Sequence, residues 1–505
     1  MDALAEIVQT LAEDDSKEFR VFLNRHRSRR ERKDIELFNL LVQEPGQETG
    51  AILDALYAEP NAKNRNAYHA LRKRLMHQLM DFVVLKQLED DTTAAASVMG
   101  TLSLARYLFA RRSEKLAWKY ALKAEKLAVD NEQYELLNSI YNLQLEQSMS
   151  EFAPPLAGII EKRVANKELT DEEERANMAY SIIKQQLRDY RLRGTSMDFD
   201  AVVIDALETF QLTDAVARRP KIMYRIMSII RSGIIAKKEF YSFEAFIIGG
   251  YQGIEAANGF SKSSHLYKLN LLYMIGHVLY RNRRFERAEM YLAMLRENME
   301  QYGGVHRAHF WPRYVMLLAA CRVYLGKNDE SIALLEELTT AGQVRLSLSQ
   351  ELNARLNLAV YYFQKEAFKT ANQLLLEFGH SDQWYGKKLG REWVLKKNLI
   401  ELIVQYELGN DDLAENRIRS MERNFGALFE HPVYQRALAF LGFIRKMIEQ
   451  PDFVETEEYE KQVRATLVNV PREQEDLQAM TFYSWLKSKM VGQPYYEVLL
   501  DVVGA

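Results

Sequence analysis

Residues 275–292 read IGHVLYRNRRFERAEMYL, and residues 358–375 read LAVYYFQKEAFKTANQLL. In each stretch a large apolar residue precedes a small one, and a leucine or a ring follows three residues after the small one. An aromatic residue, an alanine and a leucine then come at the same spacings in both stretches. This pattern is typical of two helices that pack as a hairpin, and its repetition predicts a solenoid of helical hairpins.

Two further hairpins fit between and after these stretches, so that residues 264–425 form the clearest array. The equivalent positions in the second helices of the four hairpins recur at intervals of 39 to 44 residues, at Ala288, Ile332, Ala371 and Ala414. The predicted turns carry glycine or polar residues, at Asn282–Arg284, Gly326–Asp329, Lys365-Glu366 and Gly409–Asp411. These segments lie where one helix must end and the next begin.

The composition agrees with an all-α protein. The chain has 505 residues, more than one core normally organises, and a repeat array avoids that limit because each hairpin buries its apolar face on its neighbours. Only 10 Pro and 23 Gly occur, which favours long helices over strands and turns. We therefore expect an all-α, irregular α-solenoid of helical hairpins with helical N- and C-terminal caps.

Charge and cysteine content narrow the range of partners and compartments. The net charge of −3 does not favour a general attraction to nucleic acid or anionic membrane. Cys321 is the only cysteine, so no internal disulfide is possible and a cysteine-based zinc site is not expected. The first residues lack a secretory signal pattern, and no uncharged apolar stretch is long enough to span a bilayer. A cytoplasmic protein without membrane insertion or cofactor is the simplest interpretation.

Breaks in the pattern predict four regions. Residues 1–92 form an N-terminal helical domain, 93–260 divergent helical repeats, 261–430 the clear repeats and 431–505 a C-terminal helical cap. Within the second region, Ser113 is placed to cap a helix, and residues 240–257 are apolar nearly all round, which predicts a buried helix.

The signatures at Ile275-Gly276 and Leu358-Ala359 resemble the tetratricopeptide repeat family, whose pattern continues with an aromatic residue, Ala and Leu. The interval exceeds the family's 34 residues and the closing Pro is absent, which implies an irregular superhelix. The resemblance implies that the first helix of each hairpin lines a groove for a protein or peptide partner. On that basis the groove residues are Asn270, Tyr273, His277, Tyr280, Arg281, Tyr314, Cys321, Tyr324, Asn353, Phe363 and Gln364.

A basic run near the N-terminus gives an alternative function. It consists of possible phosphate contacts at Arg25, Arg27, Arg29, Arg30, Arg32 and Lys33. Such a run suits a nucleic-acid-associated regulator, with the repeats as sensor. The other interpretation is a solvated helix end that forms ion pairs, because acidic residues balance the charge in this region and no aromatic residues interleave with the run.

Catalytic motifs are absent from the sequence, which favours a non-catalytic scaffold over an enzyme with an unrecognised site. There is no GxSxG, no P-loop and no HExxH. His306 and His309 are three residues apart but have no acidic or cysteine neighbour in sequence, so no metal site is predicted. Gly249, Gly250 and Gly253 are interpreted as small residues that ease helix packing. Self-association through Trp485 and Tyr495–Val503, an apolar part of the C-terminal cap, is a further alternative.

Overall fold

The computed structural model describes residues 3–11, 13–25, 33–43, 49–57, 61–90, 94–193, 199–237, 241–257, 259–340, 344, 346–431, 434–467, 475 and 477–504. Every regular element in these ranges is a helix, which confirms the all-α class. The chain divides into two compact units, Met1–Thr170 and Asp171–Ala505. The three boundaries between the four predicted regions remain predictions.

The first unit contains eight described helices and the beginning of a ninth, which continues into the second unit. They are α1 (Ala3–Thr10), α2 (Glu13–Asn24), α3 (Lys33–Gln43), α4 (Thr49–Leu56), α5 (Ala62–Asp90), α6 (Ala94–Ala110), α7 (Glu114–Asp130), α8 (Tyr134–Glu146) and α9 (Leu156–Arg193). One core joins α1 to α5 around Phe19, and a second joins α6 to α9 around Trp118. Ser113 stands at the N-cap of α7, but its side chain does not make the predicted capping bond.

The second unit contains the repeat region and the C-terminal helices. They are α10 (Phe199–Thr209), α11 (Thr213–Arg218), α12 (Pro220–Lys237), α13 (Tyr241–Ala257), α14 (His265–Arg281), α15 (Phe285–Met299), α16 (Arg307–Tyr324), α17 (Asn328–Thr340), α18 (Leu348–Gln364), α19 (Phe368–Leu376), α20 (Asp382–Leu389), α21 (Arg391–Glu407), α22 (Asp411–Phe429), α23 (Gln435–Glu449), α24 (Glu457–Leu467), α25 (Leu477–Val491) and α26 (Tyr495–Val503). No described helix has both the length and the apolar character required to cross a bilayer.

The four predicted hairpin turns share one backbone geometry. Each contains a residue with positive φ, at Arg283, Gly326, Glu366 and Gly409. The next residue donates its N–H to a carbonyl five residues back, as in Arg284 to Leu279. This hydrogen bond is the long bond of the Schellman motif, which satisfies carbonyls at the end of the first helix and reverses the chain. The repeated signature therefore corresponds to a repeated turn.

The hairpins pack on one another in sequence order. α15 contacts α16 and α17 contacts α18, while the first helices contact one another from α14 to α16, α18 and α21. The small signature residues of the second helices make this possible, since Ala288, Ala371 and Ala414 are fully buried. A short helix, α20, is inserted before the fourth hairpin.

Helix α13 is amphipathic, so the prediction that it is buried all round is wrong. Ala245, Gly249 and Gln252 are exposed, because only one face packs on the core. The interpretation of its glycines holds at Gly250, where an added Cβ would lie 2.2 Å from Met223 Cε.

The apolar C-terminal helices pack inside the second unit. Trp485 and Leu499 are fully buried, and Tyr495 is nearly so. Tyr496, Leu500 and Val502 of the same segment are partly exposed, and the self-association through Trp485 and Tyr495–Val503 stays a prediction. The sequence also predicts a helix that starts at His431-Pro432. The corresponding helix, α23, begins at Gln435, and Pro432 lies outside the described residues.

Candidate functional site

A cleft of about 450 Å³ lies in the second unit. Four of its walls are the first helices of the repeated hairpins, α14, α16, α18 and α21, and the C-terminal helices α25 and α26 supply the remainder. The lining side chains are Tyr273, His277, Tyr280, Arg281, Arg313, Met316, Leu317, Ala320, Val323, Tyr324, Asn353, Asn357, Val360, Tyr361, Phe363, Gln364, Lys396, Ile400, Ile403, Leu477, Thr481, Phe482 and Tyr495. We refer to this space as the central cleft.

The central cleft collects most of the residues that the resemblance assigns to a groove. Those that line it are Tyr273, His277, Tyr280, Arg281, Tyr324, Asn353, Phe363 and Gln364. Three predicted residues lie elsewhere. Asn270 donates its amide to the Leu266 carbonyl of its own helix, at 2.8 Å. Tyr314 is buried beside Trp311, and Cys321 is fully buried within the core, where burial raises the pKa of its thiol.

The sequence did not indicate several lining residues. On α16 the lining positions that were not predicted are Arg313, Met316, Leu317, Ala320 and Val323, so the helix turns a face toward the cleft that excludes Tyr314. These positions are three and four residues apart, which is the spacing of one face of a helix. This hairpin matches the repeat signature only in part, so the sequence did not show which face of α16 lines the cleft. Lys396 and the residues of α25 and α26 belong to segments with weak or no repeat signature.

A row of rings forms the wall on α14 and continues onto α16. The ring centroids lie 6.4 Å apart for Tyr273 and His277, 6.5 Å for His277 and Tyr280, and 6.1 Å for Tyr280 and Tyr324. Burial, followed by the neighbouring Tyr324, raises the pKa of Tyr280 well above its usual value. The hydroxyl of Tyr280 therefore stays neutral at physiological pH, and this wall is neutral and largely apolar.

His277 is a neutral member of that wall. Burial lowers its pKa to about 3, and the positive charges of Arg231 and Arg281 add to the effect. Its Nδ1 atom is buried and has no hydrogen-bond partner among the described residues. Oε1 of Gln364, a buried residue that also lines the cleft, likewise has no hydrogen-bond partner among the described residues. Because buried polar atoms are generally paired in native structures, these two indicate positions for a ligand or water.

The charged residues of the central cleft all have the same sign. Arg281, Arg313 and Lys396 come from three different helices, and no described lining residue is an Asp or Glu. Arg313 forms no ion pair with any other residue in the described part of the chain. The cleft is thus positively charged, although the chain as a whole carries a net charge of −3.

The predicted phosphate contacts lie in the first unit and are only partly described. Arg27, Arg29, Arg30 and Arg32 fall outside the described residues. Lys33 donates to the Leu56 carbonyl at 2.8 Å, and its Nζ lies 3.7 Å from the centre of the Tyr57 ring. Arg25 is exposed, with its guanidinium 6.0 Å from the Phe22 ring. Lys33 is therefore held by its own domain and is not directed toward a ligand.

His306 and His309, near the start of α16, belong to no metal-binding group among the described residues, and His306 lies close to His265 of α14. The rings of His265 and His306 lie 6.1 Å apart, and that of His309 packs on Phe310. No group of three or more potential metal ligands occurs among the described residues. Sequence comparison adds no further candidate, since no protein-family model and no curated protein matches this chain.

Proposed function

We propose that this protein is a non-catalytic interaction scaffold that binds a peptide segment of a partner protein in the central cleft. The proposal includes a tetratricopeptide-like solenoid for the repeat region and a cytoplasmic location. One observation carries the proposal. The first helices of four consecutive hairpins, α14, α16, α18 and α21, each present partly exposed side chains to the same cleft. In helical-repeat proteins such a surface is the usual binding site.

The composition of the central cleft supports binding of a peptide. Aromatic and arginine side chains provide most of the binding energy at protein interfaces, and the cleft combines Tyr273 and Tyr280 with Arg281 and Arg313. The amide of Asn357 also lines the cleft and is partly exposed, so it can pair with a peptide backbone. The unpartnered atoms of His277 and Gln364 offer further acceptors.

The test places a photoreactive amino acid in the cleft of the full-length chain. Met316 lines the cleft and Met290 is 66% exposed on α15, so replacements at these two positions form a matched pair. Irradiation in cells is expected to attach a discrete protein to position 316 but not to position 290. A second substitution, Ala320→Trp, fills the cleft and should abolish that adduct. The same change at the exposed Ala293 should preserve it.

Two results would contradict the proposal. One is the absence of any adduct at position 316 under conditions in which the protein is folded. The other is an adduct at position 316 that persists unchanged with Ala320→Trp, because it would form outside the cleft.

A further inference from the structure

We infer that the occupant of the central cleft is an acidic peptide segment, whose carboxylates pair with Arg281, Arg313 and Lys396. This inference rests on the proposed function and adds the chemical class of the partner. It starts from the charge of the lining, which contains these three cations and no acidic residue among its described members. Complementary charge is the main source of specificity and of fast association at such surfaces.

The position of the cations favours a chain that crosses the cleft. Arg281 lies at the end of α14, Arg313 in the first half of α16 and Lys396 in the first half of α21. The lining also contains apolar side chains, including Met316 and Ile400. A segment that alternates acidic with apolar residues would match both kinds of lining. Arg313 is the most informative of the three, because it has no ion pair with any described residue.

A second observation, an unpartnered acceptor atom, agrees with a ligand that carries a hydrogen-bond donor. Oε1 of Gln364 is buried, lines the cleft and has no partner among the described residues, while the residue itself is only 4% exposed. A backbone N–H of a bound peptide is a donor that this oxygen requires. A peptide therefore satisfies the charged and the uncharged polar groups of the cleft together.

The positive charges of Arg281, Arg313 and Lys396 also attract nucleic acid, but most aromatic rings of the cleft do not suit the stacking of bases. Binding of single strands uses aromatic faces that are open to the bases. In the central cleft Tyr324, Tyr361 and Phe363 are buried, and Tyr495 packs against Phe363 with centroids 5.5 Å apart. These four rings are held by their neighbours and do not offer open faces for stacking, whereas Tyr273 and Tyr280 are partly exposed. Most of the aromatic lining is therefore a wall and not a set of stacking platforms.

The experiment selects ligands without assuming their sequence. The full-length chain is used to enrich binders from a displayed library of random peptides, and the acidic content of the enriched pool is compared with that of the unselected pool. Enriched peptides are expected to be acidic with interspersed apolar residues. Their affinity, measured by fluorescence anisotropy on a synthetic example, should fall as salt rises, because salt screens the charge pairing.

Substitutions at Arg313 test the site directly. Arg313→Glu is expected to weaken binding of the synthetic peptide by about tenfold or more, since it replaces an attraction with a repulsion. Arg313→Met should give a smaller loss, and this graded order separates a charge effect from a folding defect. The matched control is Arg296→Glu, at an exposed position on α15 outside the cleft, which should change the affinity by less than about twofold.

The outcomes separate this inference from the proposed function. Enriched peptides that are neutral or basic, and that still lose binding with Ala320→Trp, would overturn the acidic class and leave the scaffold intact. A single-stranded oligonucleotide that binds as tightly as the peptide, with the same loss on Arg313→Glu, would also overturn the inference. Failure to enrich any peptide sensitive to Ala320→Trp would count against the proposed function itself.

Discussion

The third and fourth hairpins, α18–α19 and α21–α22, present their first helices to the same central cleft but are stabilised in different ways. In the third hairpin Ala359 and Ala371 are fully buried, and the only described polar residue that α18 buries is Gln364. In the fourth, α21 buries Lys397, Asn398 and Glu401 as well as its apolar face.

The buried polar residues of α21 belong to a network that includes the inserted helix α20. Lys397 Nζ lies 2.7 Å from Glu401 Oε1 and 3.3 Å from Asp382 Oδ1 on α20, and Asn398 donates to Asp382 at 2.8 Å. Arg417 on α22 pairs with Glu401 Oε2 at 2.9 Å, although this contact lacks hydrogen-bond geometry. Where α20 interrupts the array, charged pairs therefore supplement the apolar packing.

The largest expected effect comes from breaking the charged network. Lys397→Met removes the cation that Asp382 and Glu401 share, and removing one partner of a buried pair typically costs about 3–5 kcal/mol. Because Glu401 keeps Arg417 and Asp382 is partly exposed, we expect a cost near the lower end of that range. Urea unfolding followed by tryptophan fluorescence measures it, since Trp384 and Trp393 lie on α20 and α21. Lys369→Met, at an exposed position on α19, is the control and should change stability by less than about 0.5 kcal/mol. Equal effects at both positions would remove the contrast between the hairpins.

An intermediate effect tests what the two hairpins share. Ala371 and Ala414 occupy equivalent positions and both are fully buried, so Ala371→Leu and Ala414→Leu should each cost about 1–3 kcal/mol by overpacking. The exposed Ala427 on α22 provides the control, because a leucine there meets solvent. The free energies of unfolding from the same urea titrations measure all three. A large cost at position 371 with none at 414 would mean that the fourth hairpin is not a member of the array.

The last effect concerns pH and depends on His277, which burial keeps neutral. The pKa of His277 is about 3 in the folded chain, below its ordinary value of 6.5. The unfolded chain therefore binds more protons between these values, and the contribution of His277 to stability is lost as the pH falls below about 6.5. The loss is on the order of 1 kcal/mol per pH unit at most.

The non-titrating variant His277→Gln should lack this part of the acid response. Its stability relative to the wild type is expected to rise as the pH is lowered from 7 to about 4.5, in urea titrations at each pH. A constant difference between the two proteins across this range would show that His277 is not kept neutral by burial.

The sequence alone determined the helical class, the hairpins and much of the lining. These properties follow from local spacing: Gly276 lies next to Leu292 across one hairpin, and a helical period decides which residues of α14 and α18 share a face. The resemblance of the signatures at residues 275–292 and 358–375 to the tetratricopeptide repeat family implied that Tyr280 and Gln364 share a groove, and both line the central cleft.

Only the tertiary structure decided the rest of the cleft. Tyr496 donates to the Val323 carbonyl 173 residues away, and contacts of this kind make α25 and α26 a wall of the cleft without any repeat signature. The phase of α16, which presents Arg313 in place of Tyr314, and the depressed pKa of His277 also depend on neighbouring helices. Local spacing fixes which residues share a face of a helix, whereas the charge and burial of that face are set by whichever helices pack against it.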